Sequence, residues 1–198
     1  MLPAYFVFIG ALINFFGIAS YFIDTIKGKA KPNRVTWFLW ALAPLIAFSA
    51  EINQGVGLQS VLTFSQGAFP LLILFASFVN KKSFWKITRF DIFCAVLSIL
   101  GLILWYLTKV GNVAIFFSII SDLFAGIPTI VKSYTSPETE NYKAYLFGGI
   151  NAFITLLTIQ IWNFANWGFP FYIFIINTIF FLLIRFHLGK RISHLIIK

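Results

Sequence analysis

Long runs of apolar residues alternate with short polar connections along this 198-residue chain. A bilayer core about 30 Å thick is crossed by a helix of about 20 mostly apolar residues. Dividing the chain at its polar interruptions predicts seven membrane-spanning helices, over residues 4–24, 34–51, 57–79, 90–108, 112–132, 142–162 and 168–187. Because the connections are short, we expect almost all of the chain to lie in the membrane.

Composition agrees with a membrane protein and excludes a soluble globule. Hydrophobic residues make up 60% of the chain and charged residues only 11%, and the mean hydropathy is +0.89. So few polar residues cannot cover the surface of a water-soluble domain. The single cysteine, Cys94, excludes a disulfide framework and lies in an apolar run as a small hydrophobic residue. We therefore predict an all-α membrane protein.

Positive charge is concentrated in alternate connections. The segment "KGKAKPNRVTWFLWAL", residues 27–42, has four cations directly before an uncharged run with two tryptophans. With the N-terminus outside and the C-terminus cytoplasmic, the inward-facing segments hold 14 of the 15 Lys and Arg, all except Lys109. Because positive loops favour the cytoplasmic side, the net charge of +9 indicates topology and contact with anionic lipid headgroups. Nucleic acid is not predicted as a partner.

The layout of the spans predicts an internal repeat. A shift of about 108 residues lays the first three helices over the last three. It pairs three sets of residues: Asn14 with Asp122, Asn33 with Asn141, and Trp37 with Tyr145. Three helices and one linker helix separate the copies, so both copies have the same orientation. We predict two parallel three-helix bundles, residues 1–80 and 111–198, joined by a linker helix in residues 81–110 (3+1+3).

One segment has the features of a known transporter signature. The sequence "GIPTIVKSYTSPETENYKAYLFGG", residues 126–149, contains a helix proline, a lysine about a turn later, a loop rich in Ser and Thr, and the next helix. It resembles the PQ-loop signature of the SWEET, MtN3 and PQ-loop transporter superfamily, with Thr129 where the signature has glutamine. The resemblance implies the 3+1+3 topology and a solute pathway between the bundles, with hinges for alternating access. Candidate hinges are Gly17, Pro44, Pro128 and Gly148, and packing is their alternative role.

Polar side chains inside the predicted spans recur at helical spacing. Two helices carry such stripes: Ser118, Asp122, Ala125 and Thr129 in the fifth, and Gly148, Asn151, Thr155, Thr158 and Trp162 in the sixth. Polar groups at this depth need partners and face the bundle interior, so a hydrated or ligand-bearing cavity is expected. Its candidate solute-binding residues are Asn14, Gln66, Asp122, Asn151, Trp162 and Asn177.

The resemblance bears on two of these candidates. In sugar facilitators of the superfamily, an asparagine on the third helix of each half and a tryptophan near the end of the second helix contact the solute. Asn177 and Trp162 match these positions in the second half, while the first half has Gln66 and no equivalent tryptophan. Hydrogen bonding between helices is the alternative role for the amides, and an interfacial position is the alternative for Trp162.

Asp122 is the only carboxylate predicted to lie near the bilayer centre. An ionisable residue at this depth is costly to retain, which favours a functional role. It can take up a proton during transport, bind a cationic part of the solute, or hydrogen-bond to Asn14 or Ser118 in a structural role. A neutral sugar suits the amides and Trp162, whereas a cationic amino acid or a proton-coupled solute suits Asp122.

No catalytic pattern accompanies these residues. The sequence has no cluster of metal ligands and no nucleophile with a suitably spaced base, so we predict no enzyme activity, no metal and no cofactor. The prediction is a SWEET- or PQ-loop-like transporter of a small sugar or amino acid, and the alternative is a membrane receptor or sorting protein on the same fold. One chain with two bundles does not require an oligomer. The abundant Phe, Ile, Lys and Asn are typical of an AT-rich genome and favour a bacterial cytoplasmic membrane.

Overall fold

A computed structural model describes residues 1–108 and 110–191 of the chain. These residues form α helices and one short 3-10 helix, with no strand among them. The elements are α1 Phe6–Ile26, α2 Arg34–Asn53, α3 Ser60–Val79, α4 Arg89–Thr108, α5 Gly111–Thr135, a 3-10 helix Pro137–Thr139, α6 Tyr142–Thr158 and α7 Phe164–Phe186. The all-helical fold is confirmed, and each α helix begins and ends within about four residues of a predicted span.

Five of the helices are long and apolar enough to cross a membrane: α1, α2, α3, α5 and α7. Large apolar side chains such as Phe8 and Phe75 are exposed, whereas Asn14, Asp122 and Asn151 are buried. This distribution is the reverse of that in a water-soluble protein and is typical of an integral membrane protein, whose outer surface contacts lipid. The total of seven spans stays a prediction, since α6 has only 17 residues.

Local signals in the sequence account for the helix ends. The side-chain Oδ1 atoms of Asn33, Asn141 and Asn163 accept hydrogen bonds from backbone N–H groups at the start of α2, α6 and α7. These caps satisfy donors that no helical carbonyl can reach. Gly28 follows α1 with a φ of 77°, and Gly55 follows α2 with a φ of 75°. Glycine adopts this left-handed conformation without a steric penalty, so the chain can turn there.

Six helices form a closed ring. The neighbouring pairs in contact are α1 with α3, α3 with α2, α2 with α5, α5 with α7, α7 with α6, and α6 with α1. Helix α4 lies outside the ring, packed mainly against α5 and to a smaller extent against α2. A ring of this kind gives every member helix one face towards a common interior.

The connections 27–33, 80–88 and 136–141 meet at one end of the ring, which we call the basic end. The backbone N–H of Lys31 donates to the carbonyl of Thr139 at 2.9 Å, and the N–H of Trp85 donates to the carbonyl of Pro32 at 3.1 Å. Lysines in these connections include Lys27 and Lys81. The connections 54–59 and 159–163 lie at the opposite end, because each helix reverses the direction of the chain.

Helices α1 and α6 pack closely at two glycines of α1. A Cβ atom on Gly10 would lie 2.5 Å from Oδ1 of Asn151. A Cβ on Gly17 would lie 2.9 Å from the carbonyl oxygen of Lys143 and 3.1 Å from Cα of Ala144. All three distances are shorter than ordinary contacts of about 3.5–4.0 Å. These contacts favour a packing role for Gly17, which was the alternative to a role as a hinge.

Replacing Gly17 by alanine is expected to force α1 away from the backbone of α6. The expected cost is about 1–3 kcal/mol, as is usual for overpacking, and the melting temperature of the purified protein in detergent measures it. Gly149→Ala is the matched control, because its Cβ would lie 3.6 Å from Cβ of Asn177 and helix propensity changes equally at both sites. Equal melting temperatures for the two variants would contradict the close packing of α1 on α6.

Candidate functional site

A cavity lies at the centre of the helix ring, and all six helices of the ring line it. Four of the predicted solute-binding residues are in this lining, each on a different helix: Asn14 on α1, Gln66 on α3, Asp122 on α5 and Asn177 on α7. The centres of water molecules have about 50 Å³ of space there, which is room for a few waters. The polar residues that the sequence places on separate helices thus meet around one enclosed space.

Asp122 contributes a buried carboxylate to the cavity. The residue is only 4% exposed. The hydroxyl of Tyr172 on α7 donates a hydrogen bond to Oδ2 of Asp122 at 2.6 Å. The indole N–H of Trp40 on α2 donates to the backbone carbonyl of Asp122 at 3.1 Å. Both contacts join α5 to other helices of the ring and hold the carboxylate at the cavity wall.

Among the described residues, no basic side chain forms an ion pair with Asp122. In the described part of the chain, the ion pairs are Lys132 with Glu140 and Lys190 with Glu138. The predicted structural alternative, a hydrogen bond to Asn14 or Ser118, is not among the hydrogen bonds of residues 1–108 and 110–191, and Tyr172 is the side chain that donates instead. A buried carboxylate without a protein cation is suited to binding a cationic group or a proton.

Two hydrogen-bond donors in the lining have no acceptor from the described protein atoms. They are Nε2 of Gln66 and the indole Nε1 of Trp37. A buried donor without an acceptor costs about 1–3 kcal/mol. In Asn177, by contrast, Nδ2 donates to the carbonyl of Ile173 at 3.0 Å. The first two donors therefore favour occupation of the cavity by water or by a solute with acceptor groups.

Aromatic rings close the cavity towards the basic end. Trp37 and Trp40 of α2, Tyr145 of α6 and Phe180 of α7 line it, with ring centres 5.4 Å apart for Trp37 and Trp40 and 4.6 Å apart for Tyr145 and Phe180. The ring of Tyr21 on α1 lies 4.8 Å from that of Trp37. We call these five residues the aromatic layer. All of them come from the parts of their helices nearest the basic end.

Two predicted solute-binding residues are not in the cavity lining. Asn151 is fully buried on α6 but lies against Gly10 of α1, and its Nδ2 donates to Oγ of Ser65 at 3.4 Å. Trp162 is 57% exposed and follows α6, which ends at Thr158. The expectation that Trp162 continues the polar face of the sixth helix is wrong for this reason. The position of Asn151 fits hydrogen bonding between helices, which was the alternative to solute binding.

The predicted hinge residues have different surroundings. Gly148 lines the cavity, where a Cβ would lie 2.9 Å from Oδ1 of Asn177. Pro44 and Pro128 lie inside α2 and α5. The sequence analysis did not single out Pro70 and Pro170, which lie inside α3 and α7. Each proline removes one helical hydrogen bond, and the pattern of a proline within an apolar run could have identified the two that were missed.

Glu51 is another buried carboxylate, which was not predicted from the sequence as a site residue. It is 1% exposed near the end of α2, and its Oε1 accepts a hydrogen bond from Thr63 at 2.9 Å. It does not line the central cavity. A signal for its burial was present, because Glu51 continues the spacing of three and four residues set by Trp37, Trp40, Pro44 and Ala47.

No protein-family model, curated protein or solved structure matches the chain. The resemblance of residues 126–149 to the PQ-loop signature therefore stands on those residues alone.

The arrangement can hold a small polar solute. Among the described residues, no group of three or more His, Cys, Asp or Glu could hold a metal ion. The cavity combines a carboxylate, three amides and free N–H donors with aromatic walls. Carboxylates and aromatic faces attract cationic groups, and amides bind neutral polar groups.

The hydrogen bond between Tyr172 and Asp122 is expected to couple the two residues energetically. Tyr172→Phe and Asp122→Asn should each change the free energy of unfolding, and the double variant should deviate from additivity by about 0.5–3 kcal/mol. Denaturation of the purified single and double variants in detergent measures this coupling. Tyr172→Phe combined with Glu51→Gln is the control and should be additive. Additivity for the Tyr172 and Asp122 pair as well would contradict the contact.

Proposed function

We propose that the protein is a transmembrane transporter that moves a small polar solute by alternating access. The observation that carries this proposal is the central cavity, in which an unpaired carboxylate and three amides meet inside a ring of helices with an apolar outer surface. Polar groups at this depth are costly, and those that are retained usually serve a solute or ion pathway.

The helix contacts support a repeated architecture. Exchanging α1 with α5, α2 with α6, and α3 with α7 leaves the set of contacting pairs in the ring unchanged. Such an exchange is expected for two parallel three-helix bundles related by an axis along the membrane normal. The linker in this proposal is α4, which packs outside the ring. This is the 3+1+3 architecture that the resemblance to SWEET and PQ-loop transporters implies.

The residue pairs of the proposed repeat share local features. Asn33 and Asn141 both cap a helix through Oδ1. Their Nδ2 atoms both donate to a carboxylate, but the acceptors are on helices that the repeat does not relate: Asp91 on α4 at 2.7 Å and Asp24 on α1 at 2.6 Å. The other two pairs, Asn14 with Asp122 and Trp37 with Tyr145, line the cavity. Equivalent roles at a constant offset of about 108 residues support duplication more strongly than sequence identity alone.

Asp122 favours a solute with an amino group, or a solute moved together with a proton, over a neutral sugar. Trp162, the residue that favoured a stacked sugar ring, lies outside the cavity. The present space of about 50 Å³ is also well below the roughly 300–1,000 Å³ of typical ligand sites. Binding of an amino acid or a sugar then requires a wider conformation than this one, which alternating access provides.

We place the protein in a bacterial cytoplasmic membrane, with the basic end of the ring facing the cytoplasm. Lysines of the connections at this end would contact anionic lipid headgroups. A single chain contains both proposed bundles, so the pathway does not depend on an oligomer.

Transport is tested in proteoliposomes with a panel of labelled sugars and amino acids, with and without an inward proton gradient. We expect flux of at least one solute into proteoliposomes with the wild-type protein. In Asp122→Asn this flux should fall by about tenfold or more, because one charge-assisted interaction is removed, or it should no longer depend on the proton gradient. Glu51→Gln is the matched control, since it makes the same change from carboxyl to amide at a buried site outside the cavity. Absence of flux for the whole panel, with folded protein, would favour the receptor or sorting role instead.

Orientation is tested with single cysteines at the two ends of the ring, in a Cys94→Ala background. Lys29→Cys lies in an exposed connection of the basic end, and Gly57→Cys lies in an exposed connection of the opposite end. In intact cells, a membrane-impermeant thiol reagent should label Gly57→Cys and leave Lys29→Cys unlabelled until the cells are opened. The reverse pattern would exclude the proposed orientation.

A further inference from the structure

A second cluster of buried polar groups lies behind the aromatic layer, towards the basic end. Lys132 of α5 and Glu140 of the α5–α6 connection form an ion pair with Nζ and Oε1 2.6 Å apart, and both side chains are almost fully buried. The hydroxyls of Tyr21 on α1 and Tyr145 on α6 donate to Oε2 of Glu140, at 2.8 Å and 2.9 Å. We call Tyr21, Lys132, Glu140 and Tyr145 the latch.

The latch joins all three connections of the basic end. The ammonium of Lys132 also donates to the backbone carbonyl of Lys31 in the α1–α2 connection. It lies 5.0 Å from the centre of the Trp85 ring in the α3–α4 connection, within the range of a cation–π contact. Glu140 itself belongs to the α5–α6 connection. One charged pair therefore ties together segments that are far apart in the sequence.

Tyr145 links the latch to the cavity. Its ring lines the cavity and stacks on Phe180, and its hydroxyl donates to Glu140. Tyr21 makes a similar link one step further out, because its ring packs on Trp37 of the cavity wall. Separation of the latch therefore removes hydrogen bonds from Tyr145, which forms part of the cavity wall, and from Tyr21, which packs on that wall.

The chemistry of the latch suits an end that opens to water. A buried ion pair contributes little net stability compared with apolar residues of the same volume, because both charges lose their hydration. An apolar plug would resist water, whereas the carboxylate, ammonium and hydroxyls of the latch are all well hydrated once separated. Charged groups at this position therefore hold the end closed and lower the cost of opening it.

We propose that Glu140 is a positioning residue of the transport site, which with Lys132, Tyr21 and Tyr145 holds the cavity closed at the basic end. Separation of the latch opens the cavity to that side. The transport step of this inference rests on the proposed function, but closure of the cavity is a property of the protein alone. It can be measured without any solute.

The test measures access to a cysteine in the cavity. Ile176 of α7 is buried and lines the cavity, so Ile176→Cys in a Cys94→Ala background reports entry of a membrane-impermeant thiol reagent. Lys29→Cys in separate vesicles identifies the membrane side on which the basic end lies. The reagent is added from that side, and the labelling rate of Ile176→Cys is compared with and without changes to the latch.

Glu140→Gln and Tyr145→Phe should each raise this labelling rate by roughly tenfold or more, the change expected when a hydrogen bond to a charged group is lost from the closed state alone. Glu138→Gln is the matched control. Glu138 lies two residues away in the same connection and pairs with Lys190, but both side chains are about half exposed. The hydrogen bond from Lys190 lowers the pKa of the Glu138 carboxyl. The Glu138→Gln control therefore removes a negative charge from the same connection. The labelling rate of Ile176→Cys should stay unchanged in this control.

Unchanged labelling in both latch variants, or an equal increase in Glu138→Gln, would overturn the proposal. If Glu140→Gln does not fold, Tyr145→Phe decides the question, because it keeps the aromatic ring and removes one hydroxyl. Faster labelling of the latch variants without flux of any solute would support the latch and reject transport. Flux that depends on Asp122 with unchanged labelling would reject the latch and support transport.

Discussion

The burial of the Asp122 carboxylate among apolar helices is the constraint on which the surrounding structure depends. A carboxylate away from water needs hydrogen-bond donors or a cation. Among the described residues, Tyr172 supplies the one side-chain hydrogen bond to the Asp122 carboxylate. Tyr172 is on α7, and Trp40 on α2 fixes the backbone of Asp122 from the other side. Three helices of the ring, α2, α5 and α7, therefore meet at Asp122.

Cavity, aromatic layer and latch follow one another along the axis of the ring towards the basic end. These three regions share residues. Trp37 and Tyr145 belong both to the cavity wall and to the aromatic layer, and Tyr145 also belongs to the latch. Packed interiors have discrete arrangements and do not deform continuously. A change at one member is therefore transmitted to the next through Tyr145 and its neighbours.

The sequence predicted the helices well because long apolar runs between polar connections leave few alternatives. It also predicted four cavity residues, since helical spacing places Asn14, Gln66, Asp122 and Asn177 on inward faces. Trp162 was misplaced because the apolar composition continues beyond Thr158, where the helix ends and Asn163 soon caps the next one. An apolar run alone does not reveal such an end.

The latch was beyond prediction from sequence. Glu140 is a loop residue in a polar segment, where a solvent-exposed side chain is the normal expectation. Its burial depends on Tyr21, which lies 119 residues earlier in the chain, and on its ion pair with Lys132. From the sequence, Lys132 was only one of the positive charges that indicated the topology. Contacts of this kind depend on how helices and connections far apart in the sequence pack together, and the pattern of polar and apolar residues carries no information about that.

The most direct measurement of the central claim is the melting temperature of the purified protein with a panel of amino acids, amines and sugars. A solute that binds the folded protein raises its melting temperature. The account predicts that at least one solute does so for the wild-type protein and for Glu51→Gln, and that its effect is lost in Asp122→Asn. A solute that stabilises Asp122→Asn as much as the wild-type protein would contradict a binding site at Asp122.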